Sequence, residues 1–230
     1  MGEMDVANLV SHLIMYIVVL LLAISAHEAG HAWMSHKYGD DTAYMLGRVT
    51  LNPVAHTDPI GTLLIPIISF IVTFTSGVRV PLIGWGKPTP VNPRNWTNYK
   101  VANVMVSIAG IAANLILMIA GFAIFKTLLE TGTINTGNVG DGLVRVVVIF
   151  LNYLIFLNLS LAVFNLLPFP PLDGSKVLST FLPASFQPIF EMLETYGFLI
   201  LILLMYMGII GIIIYPFYIL VDYLLYTRWF

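Results

Sequence analysis

Apolar runs of bilayer-spanning length recur along the whole of this 230-residue chain, and they constrain its fold more than any motif does. A segment in lipid must satisfy every backbone polar group internally, which leaves helices or closed barrels. A spanning helix needs about 20 mostly apolar residues. Leu9 to about Lys37, Val101 to about Leu129 and Leu143–Leu167 meet that length. Ile60–Thr75 is shorter and contains Gly61 and Pro66, while Ile189–Tyr226 is one or two helices, with Gly208, Gly211 and Pro216 as break points. Composition agrees: 58% of residues are hydrophobic and 10% charged, against about 45–50% and about 25% in soluble domains. The chain reads as an all-α polytopic membrane protein of about five or six membrane segments, with a small membrane-associated β or loop region. Tyr44–Leu51 reads as a short strand or hairpin within that region. Residues 1–230 are expected to form one domain, a catalytic core over about 8–175 followed by C-terminal membrane helices over about 189–226.

Charge distribution sets the orientation. Lys37, Arg48, Arg79, Lys87, Arg94 and Lys100 lie in one stretch, whereas Glu130–Gly142 has no basic residue. The positive-inside rule then puts Lys37–Lys100 in the cytoplasm and Glu130–Gly142 outside. With both its ends cytoplasmic, Ile60–Thr75 is expected to be re-entrant or buried in protein. The net charge of −2, with neither a basic patch nor an acidic tail, points away from nucleic acid. The acidic start Met1–Asp5 lacks the positive n-region of a signal peptide, so the run after it is expected to remain as a membrane helix.

His27-Glu28-Ala29-Gly30-His31 lies near the polar end of the first helix. Residues four apart share a helix face, so two imidazoles can hold one zinc ion while Glu28 serves as general base on a zinc-bound water. The pattern alone is common. Ionisable groups clustered in an apolar helix, however, are costly unless they pair or act. The chain has no cysteine, so a third ligand must be His, Asp or Glu. Asp173 is the best candidate: it follows a spanning segment, and topology returns that segment to the side where His31 lies. A plain turn aspartate before Gly174 is the other reading.

Together, His27–His31 and Asn165–Gly174 resemble the site-2 protease family of intramembrane metalloproteases, the second stretch matching that family's asparagine-proline-aspartate-glycine signature. Leu51–Thr62 and Gly84–Pro93 resemble its small prokaryotic branch. The resemblance implies one zinc ion per chain held by His27, His31 and Asp173, Glu28 as base, and Asn165 orienting substrate or stabilising the oxyanion. It also implies a multi-pass protein of a prokaryotic cell membrane, its active site nearer the cytoplasm, cutting single-span transmembrane proteins within the lipid bilayer. Ser107–Asn114 matches a small-residue motif of the family, with Ile111 where proline is common; Ser107, Gly110 and Ala113 also suit close helix packing.

Other positions carry weaker expectations. Asn114, inside a span, must hydrogen-bond to something, and a substrate backbone is one partner. Gly86 lies in Gly84–Pro93, a segment able to pair with an extended substrate, although its prolines limit that. His56 is either a support for the site or an ordinary loop residue. Two rivals stand beside the protease. Metalloproteases that trim prenylated C-termini take a third ligand from a distant helical glutamate, and Glu130, Glu191 and Glu194 lack such a context. A non-proteolytic metal transporter or scaffold would need a polar through-path, which the later helices do not offer, or no need of Glu28.

Overall fold

The computed structural model describes residues 6–76 and 84–227; Met1–Asp5 and Arg79 fall outside it. The first apolar run is α1 (Val6–Lys37). At 1.5 Å per residue its 32 residues outreach a hydrocarbon core of about 30 Å, so its polar last turns can leave the apolar layer. Gly39, with φ +101°, ends it: Asp40 N–H donates to Ser35 O and Gly39 N–H to His36 O, the paired bonds of a Schellman stop that needs a left-handed residue.

Asp40 is fully buried past that stop. Its carboxylate accepts from Ser35 Oγ, the Thr42 N–H and hydroxyl, the Asn92 N–H and Asn95 Nδ2. The cap on Thr42 starts a helical turn, α2 (Thr42–Met45). This is why Tyr44–Leu51 is a helical turn and loop rather than a strand or hairpin; there is no strand among the described residues. Burial alone would raise the Asp40 carboxyl, but the bonds from Thr42, Asn92 and Asn95 hold it at about 2. A depressed carboxyl stabilises the fold above its unfolded value and loses that effect as pH falls through the folded one. Asp40→Asn is therefore expected to lower the melting temperature at neutral pH, with the gap to wild type closing between about pH 4 and pH 2; melting curves in detergent across that range check it.

Asp58 caps the next segment, accepting from Ile60 and Gly61 N–H. A π-helical turn over Pro59–Leu64 leads into α3 (Ile65–Ser76). Phe70 stacks on Tyr16 at 5.2 Å, and Phe74 lies beside His12, so α3 runs antiparallel to α1. Yet Trp85 N–H donates to Gly61 O at 3.1 Å, and the Thr62 hydroxyl donates to Trp85 O at 2.7 Å. Gly61 and Trp85 thus meet beside the polar end of α1, while Phe74 lies at the level of His12. Gly61 permits the closure, since a Cβ there would lie 2.3 Å from the Trp85 ring.

Asn98 caps α4 (Tyr99–Glu130), which is followed by α5 (Gly142–Leu166). Helices α1, α4 and α5 pack mutually as the core bundle. Val19, Phe125, Leu151, Leu154, Ile155 and Leu225 fill its centre. The short α6 (Asp173–Ser179) rests on α4 and α5. Beyond it, α7 (Gln187–Tyr206) and α8 (Ile209–Tyr226) are separated at Gly208, whose φ is +77°. Gly197 of α7 lies against Pro170, whereas Lys126 Nζ, near the far end of α4, donates to the Leu225 carbonyl of α8. The two helices therefore follow one another across the molecule. Among the described residues six helical segments are long and apolar enough to cross a membrane. Their outward faces carry Ile14, Val18, Ile116, Ile119, Leu199 and Ile212 exposed, the surface a lipid environment requires.

Candidate active site

α1 and α4 are antiparallel and close. A Cβ on Gly30 would lie 2.7 Å from Ala109 O, and one on Gly110 would lie 2.6 Å from His31 Nε2. The small residues of Ser107–Asn114 therefore let α4 lie directly against the two histidines. His31 Nδ1 donates to Val106 O at 2.7 Å; a carbonyl only accepts, so that nitrogen carries the proton. His27 Nδ1 is 2.8 Å from Asn114 Oδ1. The Asn114 amide nitrogen donates to Ala23 O and Asn158 Oδ1, which fixes the amide's orientation and makes His27 Nδ1 a donor as well.

Both Nε2 atoms are left as bare lone pairs, and they face each other at 3.0 Å. Asp173 completes the triangle: its Oδ2 lies 3.1 Å from His27 Nε2 and 3.0 Å from His31 Nε2, and no donor reaches that buried oxygen. Three acceptors converging with no proton between them repel one another unless a cation joins them. Ligand atoms at about 2.0–2.1 Å around a tetrahedral zinc stand about 3.3 Å apart. The donor set, the spacing and the orphaned oxygen all fit zinc, with its outer partners already in place. Among the described residues this trio is the group of His and acidic side chains able to hold a metal.

Asp173 reaches the site because Leu167–Leu172 turns the chain back and α6 starts against the end of α5. A Cβ at Gly174 would lie 2.2 Å from Leu166 O. Asn103 Nδ2 donates to Lys176 O and Thr180 Oγ1, tying α6 to α4. Lys176 Nζ donates to Asp173 Oδ1 at 2.9 Å, leaving Oδ2 alone for a metal.

A cavity of about 610 Å³ opens over the trio, bordered by Glu28, Gly86, Thr89, Ser107, Asn165 and Lys176. Glu28 projects into it from the turn that carries His27. Asn165 lies on its wall with one amide hydrogen held by Leu161 O. Gly86 passes so close to α1 that a Cβ would lie 2.6 Å from Ile24. Asn114 has a different place from the one expected: it is fully buried, and its amide serves His27 rather than a substrate. His56 is fully buried outside the trio; its Nε2 donates to Thr50 O, and its carbonyl receives Lys87 N–H. Sequence reasoning missed Lys176, Asn158 and Thr89. The signal for Lys176 was its i+3 position after Asp173, and for Asn158 a lone amide in an apolar span.

Because Asn114 fixes the tautomer of His27, Asn114→Leu is expected to weaken zinc binding about 10–100-fold with the fold retained, read by titration against a competing chelator.

Residues 15–208 match the model of peptidase family M50. A Bacillus subtilis (strain 168) protein described as "Putative zinc metalloprotease YwhC" is 36% identical over 200 residues, covering 87% of this chain and 84% of the relative. Rip2 of Mycolicibacterium smegmatis, which carries the same description, is 27% identical over 204 residues, covering 87% of this chain and 71% of its own. No solved structure matches significantly.

Proposed function

This chain belongs to peptidase family M50, the site-2 protease family, and from that premise we propose that it cuts transmembrane segments of single-span proteins inside the bilayer. That it is a zinc metalloendopeptidase on a multi-pass membrane scaffold follows from the family, its relatives and the six apolar helices. One observation carries the finer reading. The acceptor triangle of His27, His31 and Asp173 lies beside Glu28, in a cavity walled by long apolar helices.

Zinc in this triangle would supply the Lewis acid that polarises a peptide carbonyl and lowers the pKa of water to about 7. Glu28 takes the proton from the attacking water and returns it to the leaving nitrogen. Asn165, with one amide hydrogen on Leu161 O, has its second available to the developing oxyanion. His27 and His31 are held in their metal-facing tautomers by Asn114 and Val106. The substrate helix must unwind first, because a helical peptide bond is shielded by its own turn, and Gly84–Val91 on the cavity rim is the segment along which the opened chain lies. The basic residues near the polar end of α1 support an active site nearer the cytoplasm of a prokaryotic cell membrane, from which water reaches Glu28.

The test uses protein in proteoliposomes with a single-span substrate whose products are mapped by mass spectrometry. A zinc chelator is expected to cut the rate more than 100-fold, roughly the share that metal activation contributes, with recovery on adding zinc and a cut inside the apolar stretch. Cleavage confined to the soluble flanks, or insensitive to the chelator, contradicts the reading.

A further inference from the structure

Pro88-Thr89-Pro90 crosses α1 at Glu28. Proline has no N–H, so Thr89 carries the one N–H of these three residues, and it donates to Glu28 Oε2 at 2.8 Å. The Thr89 hydroxyl donates to the backbone carbonyl of Glu28 at 3.0 Å. A single residue therefore grips both ends of Glu28. The crossing segment is itself tied down on either side. Lys87 N–H donates to His56 O at 2.8 Å, and Asn92 N–H donates to the buried Asp40 carboxylate at 2.7 Å. Gly86 brings the strap into contact with Ile24 of α1. Asp40 also holds the turn that ends α1, so strap and helix share one anchor.

A glutamate is a long, rotatable side chain, and a general base works only when its oxygen stands within hydrogen-bond reach of the proton it takes. With Oε2 held by Thr89, the carboxylate's rotation is fixed, and among the described residues no second donor reaches it, which leaves Oε1 for the reacting water. The flanking prolines remove competing donors and restrict the strap's own backbone. We propose that Thr89 is a positioning residue for the general base, and that the Lys87–Asn92 strap holds Glu28 in its working rotamer through the Thr89 N–H. The proposal rests on Glu28 being the base, as argued above.

The test compares Thr89→Pro, which removes the N–H and the hydroxyl, with Thr89→Val, which removes the hydroxyl alone. Both are made in the full chain, with Glu28→Gln as reference, and all are assayed on one single-span substrate with zinc content measured in parallel. Misplacing a catalytic group by about 1 Å costs about 100-fold. Thr89→Pro is accordingly expected to lower kcat about 10–100-fold, with KM within about threefold and zinc still at one per chain. Thr89→Val, which loses the hydroxyl contact but keeps the N–H on Glu28 Oε2, is expected to lower kcat less than Thr89→Pro does. Thr89→Pro with wild-type kcat beside an inactive Glu28→Gln overturns the positioning role and leaves the base assignment standing. An active Glu28→Gln overturns the base assignment itself. If Thr89→Pro loses zinc or fails to fold, the double variant Pro88→Gly/Pro90→Gly decides, since it keeps the Thr89 N–H on a loosened strap. A kcat lowered about tenfold at unchanged zinc supports the proposal, and an unchanged kcat overturns it.

Discussion

Glu28→Gln is expected to bind zinc as wild type does and to hydrolyse a single-span substrate about 10²–10⁴-fold more slowly, the usual share of a general base. Glutamine matches glutamate in shape and still presents an oxygen to the Thr89 N–H that Glu28 Oε2 receives at 2.8 Å. The strap, the cavity and the His27–His31–Asp173 triangle should all survive the change. The ability to accept a proton from water does not. kcat from product mass spectrometry, with zinc per chain from elemental analysis, separates the two effects. Loss of zinc in this variant would mean that Glu28 helps hold the metal rather than move a proton.

Asp173→Ala is expected to do the opposite, weakening zinc more than about 100-fold, beyond the 10–100-fold typical of residues that merely support a ligand, with activity falling in step. The change removes the one anionic corner of the triangle, 3.0–3.1 Å from both imidazoles, and leaves the Lys176 ammonium without its partner at 2.9 Å. Two neutral imidazoles and a nearby cation form a poor site for a divalent ion. Titration against a chelator of known affinity measures the loss, and an unchanged affinity would remove Asp173 from the ligand set.

Much of this was legible in the sequence, for reasons that differ by element. The spans of α1, α4 and α5 follow from apolar length alone, because lipid leaves the backbone few choices. The His27–His31 spacing is local helix geometry. Asp173 was legible because proline punctuation and topology both pointed its segment back to the polar end of α1. What stayed hidden depends on contacts between distant segments. Asn114 advertised only that an amide in a span needs a partner, not that the partner is His27 Nδ1. Tyr44–Leu51 has strand-like composition, but the buried Asp40 carboxylate starts a helical turn just before it. Thr89 gave little hint of its role, since its contact with Glu28 spans 61 positions and depends on anchors at His56 and Asp40. The C-terminal run left one helix or two open, and the left-handed Gly208 makes it two.

The buried triangle of His27, His31 and Asp173 is expected to hold the catalytic zinc. X-ray absorption at the zinc edge of the loaded protein tests it most directly. Two imidazoles and one monodentate carboxylate are expected, with a fourth light-atom ligand, all at about 2.0–2.2 Å, and the carboxylate should be lost from the spectrum of Asp173→Ala. A first shell with fewer than two imidazoles, or one unchanged by Asp173→Ala, would contradict it.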